Sequence, residues 1–279
     1  MSSALSILGA GAVTPVGLSA PQACAAVRAR ISGFRERLFF APSAEPTVCA
    51  EVPARARLKQ TSGDWLVHLA TRAISECIAG HELKRSRLAV LLTLPDSYRR
   101  HPALEQSAPD GILPALQARL GFALSAASEA VSAGHAASLS SLLKARDLLS
   151  RGEVDLCLVG GVDSMLNRQD IERLEECSRL RSTSNPQGVI PGEGAAFLLL
   201  GSAAKPRTDV LAQILGIGLA IEKNTILGER FATGEGLRAA LEAAARDSGC
   251  VEADLGLRVS DMNGERYRAW DSMVASMRF

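Results

Sequence analysis

Charge of one sign is missing from this sequence: 31 Lys and Arg stand against 30 Asp and Glu, for a formal net charge of +1. No global field therefore argues for nucleic acid or an anionic membrane as partner. Aromatic residues make up only 4%, which leaves few platforms for stacking bases. Long apolar runs are missing too. The longest, such as Ala195 to Leu200, are strand-sized and far too short to span a bilayer. The opening MSSALSILGAGAVTPVG lacks the basic segment and long apolar core of a signal peptide. Six cysteines (Cys24, Cys49, Cys77, Cys157, Cys177 and Cys250) are scattered without a CxxC pair. That spacing argues against a disulfide framework and against metal ligation. The expectation is a cytoplasmic protein with free thiols, no metal, and neither nucleic acid nor membrane as partner.

What is present is an ordinary globular composition, 47% hydrophobic and 22% charged over 279 residues, enough for one large domain or two smaller ones. Ala4 to Leu8 reads as a buried strand ending in glycines, and Ala20 to Arg30 as a helix. A short strand is expected near Thr47 to Val52. Asp64 to Ala79 has a helical face of Leu66, Leu69, Ala70, Ala73 and Ile74. Leu88 to Leu94 is a continuous apolar run, as in a central parallel strand. Pro95 to Pro109 reads as a surface excursion, Leu113 to Leu120 as a helix, and Ala126 to Ala133 as a short strand.

Helical spacing returns from His135 to Arg151, with Gly152 at the C-cap position. Strands are expected at Asp155 to Val159, with Gly160-Gly161 as its turn, and at Gly192 to Leu200, Val210 to Gly218 and Leu255 to Val259. A helix is expected at Gly234 to Ser248. Strands alternating with helices predict an α/β architecture with mostly parallel sheets. No internal repeat and no low-complexity tract stands out.

Gly9-Ala10-Gly11 after a strand invites a dinucleotide-binding reading, but the third glycine of GxGxxG would fall at Thr14. Pro15 stands where the helix should open, and no acidic residue near position 28 is placed to hold a ribose. No nicotinamide or other cofactor is expected.

Three segments in order, ILGAGAVTPVG, SAGHAASLSSLLKARDLLSRGEVDLCLVGGVDSM and NPQGVIPGEGAAFLLL, resemble the β-ketoacyl synthase family of the thiolase-like superfamily. The resemblance implies an α/β thiolase-like fold, layered α-β-α-β-α, with residues 1–202 as a synthase-like first half. Residues 203–279 would form a partial, abbreviated second half. It also implies fatty-acid or polyketide assembly, an acyl carrier protein or acyl-CoA thioester as partner, and a homodimer or a heterodimer with an intact ketosynthase. In the family, a cysteine at a strand-to-helix junction takes the acyl group, favoured as thiolate by the helix N-terminus. Two histidines stabilise charge during decarboxylation and condensation, and backbone N–H groups form an oxyanion hole.

This sequence departs from that pattern at three places. His135 stands at the cysteine position. Two readings remain open there: a base or transient nucleophile, or a pocket-lining or capping residue with no covalent role. Ser132 and Ser138 lie near enough to be replacement nucleophiles or, equally, capping and packing residues. Downstream, RVSDMNGERY places Asn263 or Met262 where the family has a histidine, and His68, His81 and His101 fall in other segments. Finally, the family pattern continues beyond the position matched by Phe279, so the second half is expected to be abbreviated or the sequence a truncated version of a longer one. An abbreviated half would expose a sheet edge or apolar face and favour a partner.

Glu193, between glycines, is expected to order neighbouring loops in the substrate pocket, and Asp163 to serve a turn or a polar network. The basic stretch Arg55 to Lys59 is open to an acidic carrier protein or simply to solvent. Two functions follow: a non-condensing, acyl-binding partner subunit of the chain-length-factor kind, or an acyltransferase or thioesterase with altered chemistry at His135.

Overall fold

The computed structural model describes residues 4–38, 46–53, 62–81, 87–95, 109–134, 136–205 and 207–279. His135, His101, the Arg55–Lys59 stretch and nearly all of the expected excursion after Pro95 lie outside the described residues.

A six-stranded sheet organises the chain in the order β5-β4-β6-β7-β1-β8. Its strands are β1 (Leu5–Val13), β4 (Leu88–Leu94), β5 (Glu129–Ser132), β6 (Leu156–Ser164), β7 (Glu193–Ser202) and β8 (Ala212–Ile214). A separate ribbon pairs β2 (Phe34–Arg37) with β3 (Thr47–Ala50). The helices are α1 (Ala20–Arg28), α2 (Ser62–Cys77), α3 (Pro109–Leu120), α4 (Ala137–Ser150), α5 (Arg168–Glu176), α6 (Glu235–Ser248) and α7 (Arg266–Arg278).

Strand β4 shows why the sheet sits between helical layers. All seven of its residues are buried. Leu88, Val90, Leu92 and Leu94 join a cluster with Leu66, Leu69, Ala73 and Ile74 of α2. Ala89 and Leu91 face the other way, against Leu142, Ala145 and Leu149 of α4. The two-residue period of a strand thus distributes one apolar run between two cores.

Three expectations need correcting. The sheet is mixed rather than mostly parallel: β4 pairs in parallel with β5 and β6, whereas β7 is antiparallel to both β6 and β1. β8 is antiparallel to β1 as well. The connection through α5, between β6 and β7, brings β7 back against the strand direction, which an alternating pattern of strands and helices does not encode. Gly160-Gly161 form no turn but continue β6, paired with Phe197 and Ala196. Of the two later strands, only Ala212–Ile214 joins a ladder, and 255–259 joins none among the described residues. Their apolar sequence suits a strand, but no neighbour is present to pair with them.

Residues 235–248 connect back to the first half through a half-buried carboxylate. Asp247 on α6 pairs with Arg146 of α4 at 2.6 Å and accepts from the Ile217 amide at 2.9 Å. Both side chains of the ion pair are only 19% exposed, so the amide would lose a partner in a poorly solvated site. We expect Asp247→Ala to lower stability in urea denaturation by roughly 1–3 kcal/mol. Hydrogen exchange should loosen around 214–218 and leave β4 protected. Uniform loss of protection across the sheet would contradict this account.

Candidate functional site

The strand-to-helix junction after β5 carries the first candidates. Gly134 turns the chain with φ +75°, and Ala136 is the N-cap of α4, with no side chain capping the helix. Ser132 at the end of β5 is 1% exposed, and its hydroxyl donates to the Pro95 carbonyl at 3.1 Å. Ser138, in the first turn of α4, lies 2.6 Å from the Thr93 hydroxyl. Thr93 in turn donates to the Gly160 carbonyl at 3.0 Å. With the Thr93 proton spent there, the Ser138 hydroxyl is the donor of the pair. Both serine protons therefore go to structural acceptors, and neither serine caps the helix.

Gly161 explains why this cluster is tight. A Cβ at that position would come within 3.2 Å of the Ser138 hydroxyl and closer still to that of Thr93. Gly161 thus lets α4 settle on β4 and β6, while a Cβ on Gly160 would meet Ala196 and Phe197 of β7.

Thiolate chemistry has no support from the buried cysteines. Cys157 in β6 and Cys77 in α2 are both buried, and burial pushes each thiol up to about 12. At neutral pH both remain protonated and unreactive.

Glu193 opens β7 and is 6% exposed. One oxygen accepts from the Val52 amide at 3.1 Å. The other accepts from the Trp65 indole N–H at 2.9 Å and the Ser164 hydroxyl at 2.8 Å. A single carboxylate thus joins the exit of β3, the start of α2 and the end of β6 to β7. Each of these three contacts donates to the carboxylate.

Asn263 belongs to a different cluster. Its amide donates to Glu265 at 2.7 Å, and its oxygen accepts from the Glu265 N–H at 3.1 Å. Glu265 in turn holds Arg179 through two bonds of 2.8 and 2.9 Å. Burial acts to raise the Glu265 carboxyl, but hydrogen bonds from Arg179 and Asn263 outweigh it and hold the group below its usual range.

Thr93, Trp65 and Ser164 were missed in the sequence. Thr93 did leave a signal, as the one polar residue in LAVLLTL. Trp65 and Ser164 left none, because their link to Glu193 spans 128 and 29 residues of chain.

Asp163 stands beside this network and contrasts with Glu193. One of its carboxylate oxygens is sealed from solvent and has no hydrogen-bond partner among the described residues. Burial first, then the negative charge of Asp170, pushes its carboxyl up to about 6.

Two measurements test these assignments. Because the folded carboxyl of Asp163 titrates above its unfolded value of 3.8, its contribution is fully present below pH 3.8 and is lost as pH rises through about 6. Asp163→Asn should therefore gain stability over the parent at pH 8, by roughly 2–3 kcal/mol, and gain little at pH 4. A difference independent of pH would contradict the assignment. For Glu193→Ala, leaving the Trp65 and Val52 donors buried without acceptors should cost roughly 2–4 kcal/mol in denaturation and shift Trp65 fluorescence. An unchanged midpoint would contradict the network.

With the geometry in view, comparison with known proteins identifies the scaffold. Residues 96–205 match the family model of the beta-ketoacyl synthase N-terminal domain. A type II polyketide acyl-carrier protein complex with its ketosynthase bound to the hexaketide superposes with TM-score 0.79 at 15% identity, over 99% of this chain and 77% of that one. The ishigamide ketosynthase/chain length factor gives TM-score 0.78 at 19% identity, over 99% and 77%. A beta-ketoacyl synthase from Burkholderia phymatum gives TM-score 0.71 at 18% identity, over 99% and 78%. These identities speak to the fold alone, which is thiolase-like, and the chain spans 77–78% of the length of those structures. The chain thus has the fold of those structures, and its segment 96–205 is similar to the beta-ketoacyl synthase N-terminal domain.

Proposed function

We propose that this chain is a non-condensing partner subunit in fatty-acid or polyketide assembly, one that binds or shapes an acyl chain beside an intact ketosynthase. The observation that carries the reading is the chemistry of the junction. The segment that resembles the family's nucleophile region has His135 where a cysteine is expected, and its one cysteine, Cys157, lies in mid-strand. That thiol is held protonated by burial. The serines flanking His135 donate their protons to Pro95 and Thr93, so no activated hydroxyl replaces the thiolate. Asn263, which with Met262 is a candidate for the family's histidine position, is committed to Glu265.

The structural neighbours support the partner role by what they are. One is a ketosynthase in complex with its chain length factor, from Xenorhabdus doucetiae, and another pairs a ketosynthase with an acyl-carrier protein. By extension, the partners proposed here are an acyl carrier protein or acyl-CoA thioester and a ketosynthase subunit. His135 and the residues around it would line the pocket as the cysteine does in an active synthase, with Ser132, Ser138 and Glu193 fixing its walls. Residues 1–202 form the synthase-like half in this reading, and 203–279 the abbreviated one.

Intact-protein mass after exposure to acyl-carrier-protein and acyl-CoA thioesters tests the proposal, with the parent compared against His135→Cys. We expect the parent to gain no acyl mass and the cysteine variant to gain one. If the parent itself is acylated or turns the thioester over, the chain is an altered acyltransferase or thioesterase acting at His135. If neither protein is acylated, the acyl-binding role fails.

A further inference from the structure

Away from the α4 junction, a cavity lies between the start of β3 and the loop that follows α5. Its volume is about 460 Å³, within the range of small-molecule sites. Pro46 and Thr47, where β3 begins, form one wall, and residues from Glu175, in the last turn of α5, to Asn185 form the other. The loop wall is braced by its own bonds. Ser178 leaves α5 with φ +53°, a left-handed backbone that costs energy in a serine. The Asn185 amide holds it there, donating to the Ser178 carbonyl at 2.8 Å and to that of Leu180 at 3.1 Å. The Arg181 N–H donates to the Val189 carbonyl at 3.0 Å, and the Ser182 N–H to that of Asn185 at 3.1 Å. Leu180 and Val189 pack on Ile171 and Leu174 of α5. The wall is therefore formed before any ligand arrives, as a precise site requires.

Three side chains that line this cavity have no polar partner among the described residues. The Glu175 carboxylate makes neither a hydrogen bond nor an ion pair there; its Oε2 is sealed from solvent and its Oε1 is not. The Arg181 guanidinium is likewise without an ion pair among the described residues, Glu175 included. Thr47 is 4% exposed, and its hydroxyl has no hydrogen-bond partner among the described residues. A half-sealed carboxylate without a donor is costly to keep ionised. Here it lines the same space as a cation that does not reach it.

We propose that this cavity binds a small zwitterion of the α-amino acid class, its carboxylate held by Arg181 and its ammonium by Glu175. The ammonium meets Oε1 and compensates a charge that the sealed Oε2 shares. A guanidinium offers a carboxylate two parallel N–H donors, and the Thr47 hydroxyl adds a further hydrogen bond. A simple carboxylate fits less well, because it sets a second negative charge beside Glu175. A simple amine leaves Arg181 unused. No covalent step is involved. The cavity shares no residue with the α4 junction, so the inference stands or falls apart from the partner-subunit reading.

Isothermal titration calorimetry of the 279-residue chain with each of the standard L-α-amino acids tests this, with acetate and ethylammonium as probes carrying one charge each. At least one amino acid is expected to bind with a Kd below about 1 mM, and each single-charge probe to bind at least roughly tenfold more weakly. The amino acid that binds should slow amide exchange at 178–185 in the parent chain while β4 is unchanged, a readout that needs no variant. Glu175→Gln and Arg181→Gln should each weaken it by about tenfold or more, with β4 protected as in the parent. No binding by any amino acid at about 10 mM overturns the proposal. Acetate or ethylammonium binding as tightly overturns it too, as does affinity unchanged in either folded variant. Binding that leaves exchange at 178–185 unaltered places the ligand elsewhere and equally overturns it.

Discussion

The depth at which α2 lies on β1 is the constraint on which the rest of the structure depends. Without Cβ atoms at Gly9 and Gly11, the helix backbone meets the strand backbone directly, and α2 is drawn far enough in to be buried along most of its length. Three consequences follow from that position. Trp65 at its first turn reaches Glu193. Glu76 near its last turn accepts from the Ala12 and Ala20 amides, fixing how β1 leads into α1. Leu66, Leu69 and Ile74 fill the face of the sheet that β4 and β7 present. A displaced α2 would disturb all three at once, because packed interiors have few ways to absorb a shift.

Two carboxylates show how the same burial serves opposite ends. Glu193 is surrounded by donors and holds four segments together. Asp163, at the far end of β6 from the sheet centre, has an oxygen with no such donor and a neighbour of like charge. The first stabilises the fold and the second strains it. At the start of α4 the described hydroxyls of Ser132, Ser138 and Thr93 have their protons committed to acceptors. The proposed reading, a synthase-like pocket without the groups that make one reactive, rests on these committed hydroxyls and on the residue type at position 135.

Much of this was legible in the sequence because it rests on local pattern. The apolar runs of β4 and β7, the face of α2, and the three motif segments all lie within contiguous stretches, and they predicted the fold type. What escaped was non-local. The antiparallel insertion of β7 depends on where a 28-residue connection returns, running from Ser164 to Glu193, and no periodicity reports that. Gly160-Gly161 looked like a turn because paired glycines usually are one, whereas here they give room for α4 and β7. The Glu193 network joins residues distant in sequence.

Reconstituted chain extension is the most direct test of the central claim, that this scaffold acts in acyl assembly without performing the condensation. An acyl thioester and an extender thioester on carrier protein would be supplied to this chain alone, to a co-expressed intact ketosynthase alone, and to both together. The account predicts no carbon–carbon bond formation by this chain alone, and a product length with both proteins that differs from that of the ketosynthase alone. Condensation by this chain alone, or a product distribution indifferent to its presence, would contradict it.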